Sequence, residues 1–286
     1  MLDERIAGFV SASRAEDAEG EFQRLALERF RECWTADEAY RQAARSAGAS
    51  LERTTRWDEL PALDLGSATP LSKMGDLRRA AWRAVEPVPV PGPVLAESAS
   101  AGAILERSLP EGSRVEPALS LAIGRSWLAT RQRDRRPVSI VTSAEGLRAL
   151  LDGLRRQDLR FRLPPASRIV ALDGEPSRGS VDTLVEAASE YLHAPQQSLW
   201  LELRLAQHST SLFGVPDPEG LVLVPRLPHW VRLRELDGDG EKGRSVPLAV
   251  CDLAVPGPSF CSRTAWRGVI DDRAVRLTER VEPSPS

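Results

Sequence analysis

The chain has 286 residues, 42% of them hydrophobic and 28% charged, which is enough to bury a substantial core and excludes disorder of the whole chain. Lys and Arg number 38 against 41 Asp and Glu, a formal charge of -3, so no global field draws the protein onto a polyanion and nucleic acid is not expected as a partner. No apolar run approaches the ~20 residues of a membrane span, and Met1-Leu2-Asp3-Glu4-Arg5 lacks the basic-then-apolar plan of a signal peptide, so a cytoplasmic protein without a membrane span is expected.

In chain order, apolar residues recur at Phe22, Leu25, Leu27, Phe30, Trp34 and Tyr40, a helical spacing that predicts one or two amphipathic helices between Asp17 and Ala44. Four prolines alternate with apolar residues and glycine from Val85 to Pro93, which prohibits helix and predicts an extended connector. Beyond it, Val138 to Val141 reads as a strand, Ala144 to Gln157 as a helix, Arg168 to Leu172 as a strand, Val181 to Leu192 as a helix and Ser198 to Leu203 as a strand. This βαβ alternation passes into further strands at Leu221–Val224, Trp230–Leu236 and Leu248–Leu253, the last two separated by the turn Asp237-Gly238-Asp239-Gly240. The expected organisation is a helical region over 1–84, a Pro-rich connector over 85–97, an α/β core passing into a β-rich subdomain over 98–280, and a disordered tail over 281–286.

The three cysteines, Cys33, Cys251 and Cys261, are widely spaced and form no CxxC, so reduced, buried thiols are expected rather than a disulfide framework or a zinc site. The histidines His193, His208 and His229 match no ligand spacing and read as structural or surface residues. Asp237 to Gly240 lacks the later oxygen ligands of a calcium loop. The basic run Arg131 to Arg136 reads as a solvated loop, with an acidic partner or a carrier-protein face as its functional alternative.

Several ordered blocks resemble the LuxE-type acyl-protein synthetases of the adenylate-forming superfamily, which are related to phenylacetate-CoA ligases. Glu21-Phe22-Gln23-Arg24-Leu25-Ala26-Leu27-Glu28-Arg29-Phe30, Tyr40-Arg41 and Trp57-Asp58-Glu59-Leu60-Pro61 are similar to that family's opening. Leu163-Pro164-Pro165-Ala166-Ser167-Arg168 resembles L-P-x-G-S-R, Pro228-His229-Trp230-Val231-Arg232 resembles P-x-W-x-R, and Asp252-Leu253-Ala254 resembles D-L-A. The resemblance covers nearly the whole chain. It implies an adenylate-forming (ANL-like) α/β N-terminal domain with a helical N-terminal layer and a β-rich C-terminal part, without the mobile C-terminal lid of larger relatives.

The family's chemistry joins a carboxylate to the α-phosphate of ATP and passes the acyl group to a cysteine, and the resemblance locates the positions that should serve it. The phosphate loop S-G-T-T-G stands here as Ser98-Ala99-Ser100-Ala101-Gly102, preceded by Glu97, whose charge would repel phosphate. A plain small-residue turn is the alternative reading of these five residues. The Y-G-M-T-E block, whose glutamate helps hold magnesium, stands as Leu203-Arg204-Leu205-Ala206-Gln207, and a glutamine brings no charge to a hard cation. Where an aspartate should bind the ribose stands Trp266, whose indole only donates; of the following G-R pair Arg280 remains. The G-G-F-K-G-R block keeps Gly174 and Arg178.

The resulting expectation names no catalytic residue and no metal ligand, only eroded nucleotide-pocket positions at Ser98, Ser100, Gly102, Gly174, Arg178, Gln207, Trp266 and Arg280, converging in space. No cofactor is expected. Such a chain would act as a non-catalytic interaction or regulatory module beside an intact synthetase, an acyl reductase or an acyl carrier protein. Two alternatives stand: a divergent but active acyl- or aryl-adenylating ligase, which would require Mg-ATP, and a carboxylic-acid sensor that binds its ligand without nucleotide.

Overall fold

The computed structural model describes residues 1–12, 17–63, 94–96, 115–117, 128–130, 133, 135–172, 178–206, 210, 212–216, 224–236, 244–270 and 275–280. The chain divides into two compact units, one of residues 1–86, 204–212 and 226–286, the other of residues 87–203 and 213–225. Of the connector expected over 85–97, residues 94–96 form a strand and the rest lie outside the described residues, as do the turn at 237–240 and the tail at 281–286.

The unit built from the middle of the chain is an α/β layer. Its strands are β1 (Val94–Ala96), β2 (Val115–Pro117), β3 (Ser139–Ser143), β4 (Arg168–Leu172), β5 (Leu199–Leu203), β6 (Leu212–Val215) and β7 (Val224–Pro225). They order as β2-β1-β3-β4-β5-β6-β7, with β1, β2, β3, β4 and β5 joined by parallel pairings and β7 antiparallel to β6. Ile140, Val141, Ile169, Val170 and Leu172 are all buried, as strands covered on both faces require. Val94, Val141, Val170, Trp200 and Phe213 make one contiguous core cluster.

The crossover helices follow from the same sequence logic. β3 runs directly into α4 (Ala144–Arg156), and Ser143, the last strand residue, caps the helix by accepting from the Gly146 N–H at 2.9 Å. Ala144, Leu147, Leu151 and Leu154 fall on its buried face, while Arg155 and Arg156 sit in the last turn where the helix dipole favours cations. The second helix, α5 (Arg178–Leu192), buries Val181, Leu184, Ala188, Tyr191 and Leu192. The chain leaving α4 is pinned to the end of α5, since Phe161 N–H donates to Tyr191 O at 2.7 Å and Leu163 N–H to Leu192 O at 3.0 Å.

The other unit joins both ends of the chain. Three helices, α1 (Leu2–Ser11), α2 (Ala18–Ala36) and α3 (Glu38–Ser46), combine with an antiparallel sheet of β8 (Val231–Glu235), β9 (Val246–Asp252), β10 (Cys261–Ile270) and β11 (Val275–Arg280), ordered β11-β10-β9-β8. Asp17 caps α2 through Gly20 N–H, and Asp37 caps α3 through Tyr40 N–H, each at 3.0 Å. Arg29 is buried and paired with Asp3 of α1 and, at 2.7 Å, with Glu32, so its charge is compensated while it ties α1 to α2. Among the described residues no helix is long and apolar enough to cross a membrane.

Candidate functional site

Within the unit that joins both ends of the chain, the blocks around Phe22, Trp57 and Arg232 interlock. The Gln23 side chain donates to Thr55 O at 2.9 Å and accepts from Trp57 N–H at 3.0 Å, which fastens α2 to the segment Arg56-Trp57-Asp58-Glu59. Trp57 packs edge-on against Phe22, with ring centroids 5.6 Å apart, and donates its indole N–H to Glu19 at 3.1 Å. The Glu59 carboxyl accepts from the Thr55 and Arg56 N–H groups, and these bonds hold it below the usual carboxylate range. Arg232 lies over the Phe22 ring at 4.7 Å and binds Glu19 through two N–H groups at 2.9 and 3.0 Å.

The histidine of the same block is consumed structurally. His229 Nε2 meets Phe9 O at 2.7 Å, and its ring stands edge-on to both Phe9 and Trp230. Buried Trp230 donates to Thr210 Oγ1 at 3.3 Å, while the carboxylate of buried Asp252 accepts from the N–H groups of Thr210 and, at 3.0 Å, Ala254. Asp252 therefore holds the chain three residues after Gln207. His193 is exposed at the end of α5 with φ 45°, and His208 lies outside the described residues.

The Leu163–Arg168 block is mechanical too. Pro164 O accepts from Ser167 N–H at 3.2 Å, closing a turn with Pro165 and Ala166 at its centre, and Ala166 has φ 65°. Positive φ at the third position with proline at the second is the pattern of a type II turn, which favours glycine there, the residue that L-P-x-G-S-R carries. Ser167, buried, donates its hydroxyl to Pro164 O at 2.6 Å and accepts from Val138 N–H at 3.1 Å, so the turn sets the entry to β3.

Of the positions assigned to a nucleotide pocket, Ser98, Ser100, Gly102, Gly174 and Gln207 lie outside the described residues, and Arg178 is the first residue of α5. Because β1, β4 and β5 run parallel, their carboxyl ends share one edge of the sheet, where open α/β sheets place ligands. In the chain, Ser98 to Gly102 follow β1, Gly174 follows β4 and Gln207 follows β5.

Trp266 and Arg280 are brought together directly, as cross-strand partners on β10 and β11. Trp266 is only 2% exposed. It sits where the β9–β10 register breaks between Arg263 and Arg267, and the Thr264 hydroxyl closes this irregularity by donating to Leu248 O at 2.9 Å and accepting from Trp266 N–H at 3.1 Å. The buried indole N–H can only donate, so this position brings no hydrogen-bond acceptor.

The mostly parallel sheet with crossover helices and the antiparallel β-rich part are similar in fold to a solved CoA ligase. A 2-hydroxyisobutyryl-CoA ligase, solved in an open conformation with 2-HIB-AMP and CoA, matches 91% of this chain and 70% of its own length, with a TM-score of 0.53 and 14% identity. A long-chain-fatty-acid-CoA ligase from Archaeoglobus fulgidus matches 72% of this chain and 48% of its own, with a TM-score of 0.44 and 11% identity. The McyG A-PCP complexed with phenylalanyl-adenylate matches 72% and 43%, with a TM-score of 0.44 and 9% identity. The chain thus spans less than half the length of the last two. No protein-family model matches the sequence, and no curated protein is detectably similar to it.

Proposed function

We propose that this protein is a LuxE-like acyl-protein synthetase homologue that has lost ATP-dependent acyl activation and serves as a non-catalytic interaction or regulatory partner in acyl metabolism, beside an intact synthetase, an acyl reductase or an acyl carrier protein. The observation that carries the reading is Trp266, a buried indole standing where the resemblance calls for a ribose-binding carboxylate. Gln207 in place of the magnesium carboxylate and Ala99 in place of the first loop glycine point the same way. Trp57, Arg232 and Asp252, which match blocks of the resemblance, are all held by hydrogen bonds within this chain.

Removing one preorganised charge-stabilising group costs on the order of 10²–10³ in rate, and several are replaced here. Calorimetry with Mg-ATP is expected to give no binding heat, and carboxylic acids of varied chain length no pyrophosphate exchange. Saturable ATP binding, with exchange that disappears in Ser100→Ala, would replace this reading with that of a divergent active ligase. Binding of a carboxylic acid without nucleotide would replace it with that of a sensor.

A further inference from the structure

The antiparallel pairing of β9 and β10 places Cys251 opposite Cys261. The carbonyl of Cys261 accepts from Leu63 N–H at 3.4 Å, on the side away from β9, so the two cysteines form a non-hydrogen-bonded pair. In such pairs the Cα atoms lie about 4.5 Å apart, the closer of the two antiparallel spacings and inside the ~4.4–6.8 Å window that a disulfide spans. Both side chains are buried and both thiols are free. A zinc-type site is not the use of this pair, since among the described residues no group of three or more His, Cys, Asp or Glu could hold a metal ion.

The surroundings are asymmetric. Arg234, next but one to Arg232 on β8, turns a guanidinium toward Cys261, and the Cys251 thiol lies within hydrogen-bonding reach of the Cys261 sulfur. That contact, opposed by burial and aided by Arg234, lowers the Cys261 thiol below its usual range, while burial pushes the Cys251 thiol up. Two buried donors in this region, the Tyr40 hydroxyl and the Arg234 Nε–H, have no hydrogen-bond partner among the described residues. Buried donors are rarely left so, and an oxygen added to the Cys261 sulfur would supply an acceptor.

We propose that Cys251 and Cys261 are a reversible dithiol–disulfide pair, a modification site that hydrogen peroxide closes and a thiol reductant reopens. The Cys261 thiolate attacks one peroxide oxygen, the O–O bond breaks, and the departing hydroxide takes a proton to leave as water; Cys261 is now a sulfenic acid. The Cys251 sulfur gives up its proton and attacks the Cys261 sulfur, the S–S bond forms, the S–O bond breaks, and a second water leaves. Two thiols and one peroxide thus become one disulfide and two waters. Cys33, on α2, is not a cross-strand partner of either cysteine, and burial pushes its thiol up to about 12.

The test uses the full chain, oxidised under native conditions, quenched, unfolded in guanidinium and alkylated with N-ethylmaleimide. Reduced protein takes up three adducts, one for each cysteine. Oxidised protein is expected to take up one, at Cys33, with a linked Cys251–Cys261 peptide, and dithiothreitol restores all three. Cys33→Ser should leave the link intact, and Cys251→Ser should convert it into a dimedone-trappable sulfenic acid on Cys261. Three adducts after a large excess of peroxide, a link that includes Cys33, or Cys261 carried to sulfinic acid without a link would each overturn the proposal. The wild-type mass shift decides the matter even where a variant fails to fold.

Discussion

Ala166→Gly should stabilise the protein. Ala166 is exposed and holds φ 65°, a left-handed conformation that costs an L-residue roughly 1–2 kcal/mol through crowding of Cβ against the following carbonyl. Glycine removes that cost without losing buried contact. It also loosens the unfolded chain, which takes back about 0.4–1 kcal/mol. The balance is a gain of about 0.5–1 kcal/mol, or a rise of a few degrees in melting temperature. Urea unfolding followed by tryptophan fluorescence measures it, with Ala166→Val as the opposite control, because a β-branched residue at positive φ should lose at least as much as glycine gains. If Ala166→Gly is neutral or destabilising while Ala166→Val matches the wild type, the turn does not impose the strain inferred here, and the mechanical explanation of the Leu163–Arg168 block fails.

Trp266→Ala should cost about 3–5 kcal/mol, the range for deleting a buried aromatic side chain, and should not create ATP binding; denaturant midpoints and calorimetry on the same sample check both. Stability should also fall at alkaline pH because of Cys33. Burial raises its thiol from about 9 to about 12, so the folded state holds its proton longer than the unfolded state. Its contribution is complete well below pH 9 and drains away as the pH climbs towards 12, by about 2 kcal/mol between pH 9 and 11, since each full unit is worth about 1.36 kcal/mol. Unfolding curves at pH 8, 9.5 and 11 should decline less steeply for Cys33→Ala; parallel declines would show that Cys33 does not carry the effect.

The α/β half was legible because its periodicities are unbroken. Ile140 and Ile169 sit on strands whose neighbours are also apolar, and the buried face of α4 repeats at helical spacing through Leu147, Leu151 and Leu154. The strand β10 was not legible. Its alternation is interrupted by the irregularity between Arg263 and Arg267, and Arg263, Thr264 and Arg267 give it the look of a polar loop. The short β6 was hidden by Gly214 and by Pro216 just beyond it, and α1 by an opening read only for targeting signals. Of the strand expected at Leu221–Val224, residues 221–223 lie outside the described residues, and Val224 is in the described strand Val224–Pro225. The pairing of Trp266 with Arg280 could be anticipated only through the family resemblance, and that of Cys251 with Cys261 not at all, since ten residues of sequence say nothing of a cross-strand register.

The contacts that bind the N-terminal helices to the C-terminal sheet also govern when this protein can fold. His229 meets Phe9 across 220 positions of sequence, Arg232 meets Glu19 across 213, and Arg234 meets Leu60 across 174. At ribosomal rates of about 5–20 residues per second, the first helices wait on the order of 10–40 s for the strands that cover Phe22. The middle α/β unit, whose parallel strands β3, β4 and β5 are separated by single crossovers, has all of those partners in hand well before then. During that interval the amphipathic α1 and α2 carry an uncovered apolar face, so the nascent chain, rather than the finished protein, is the state in which a chaperone has the most to protect.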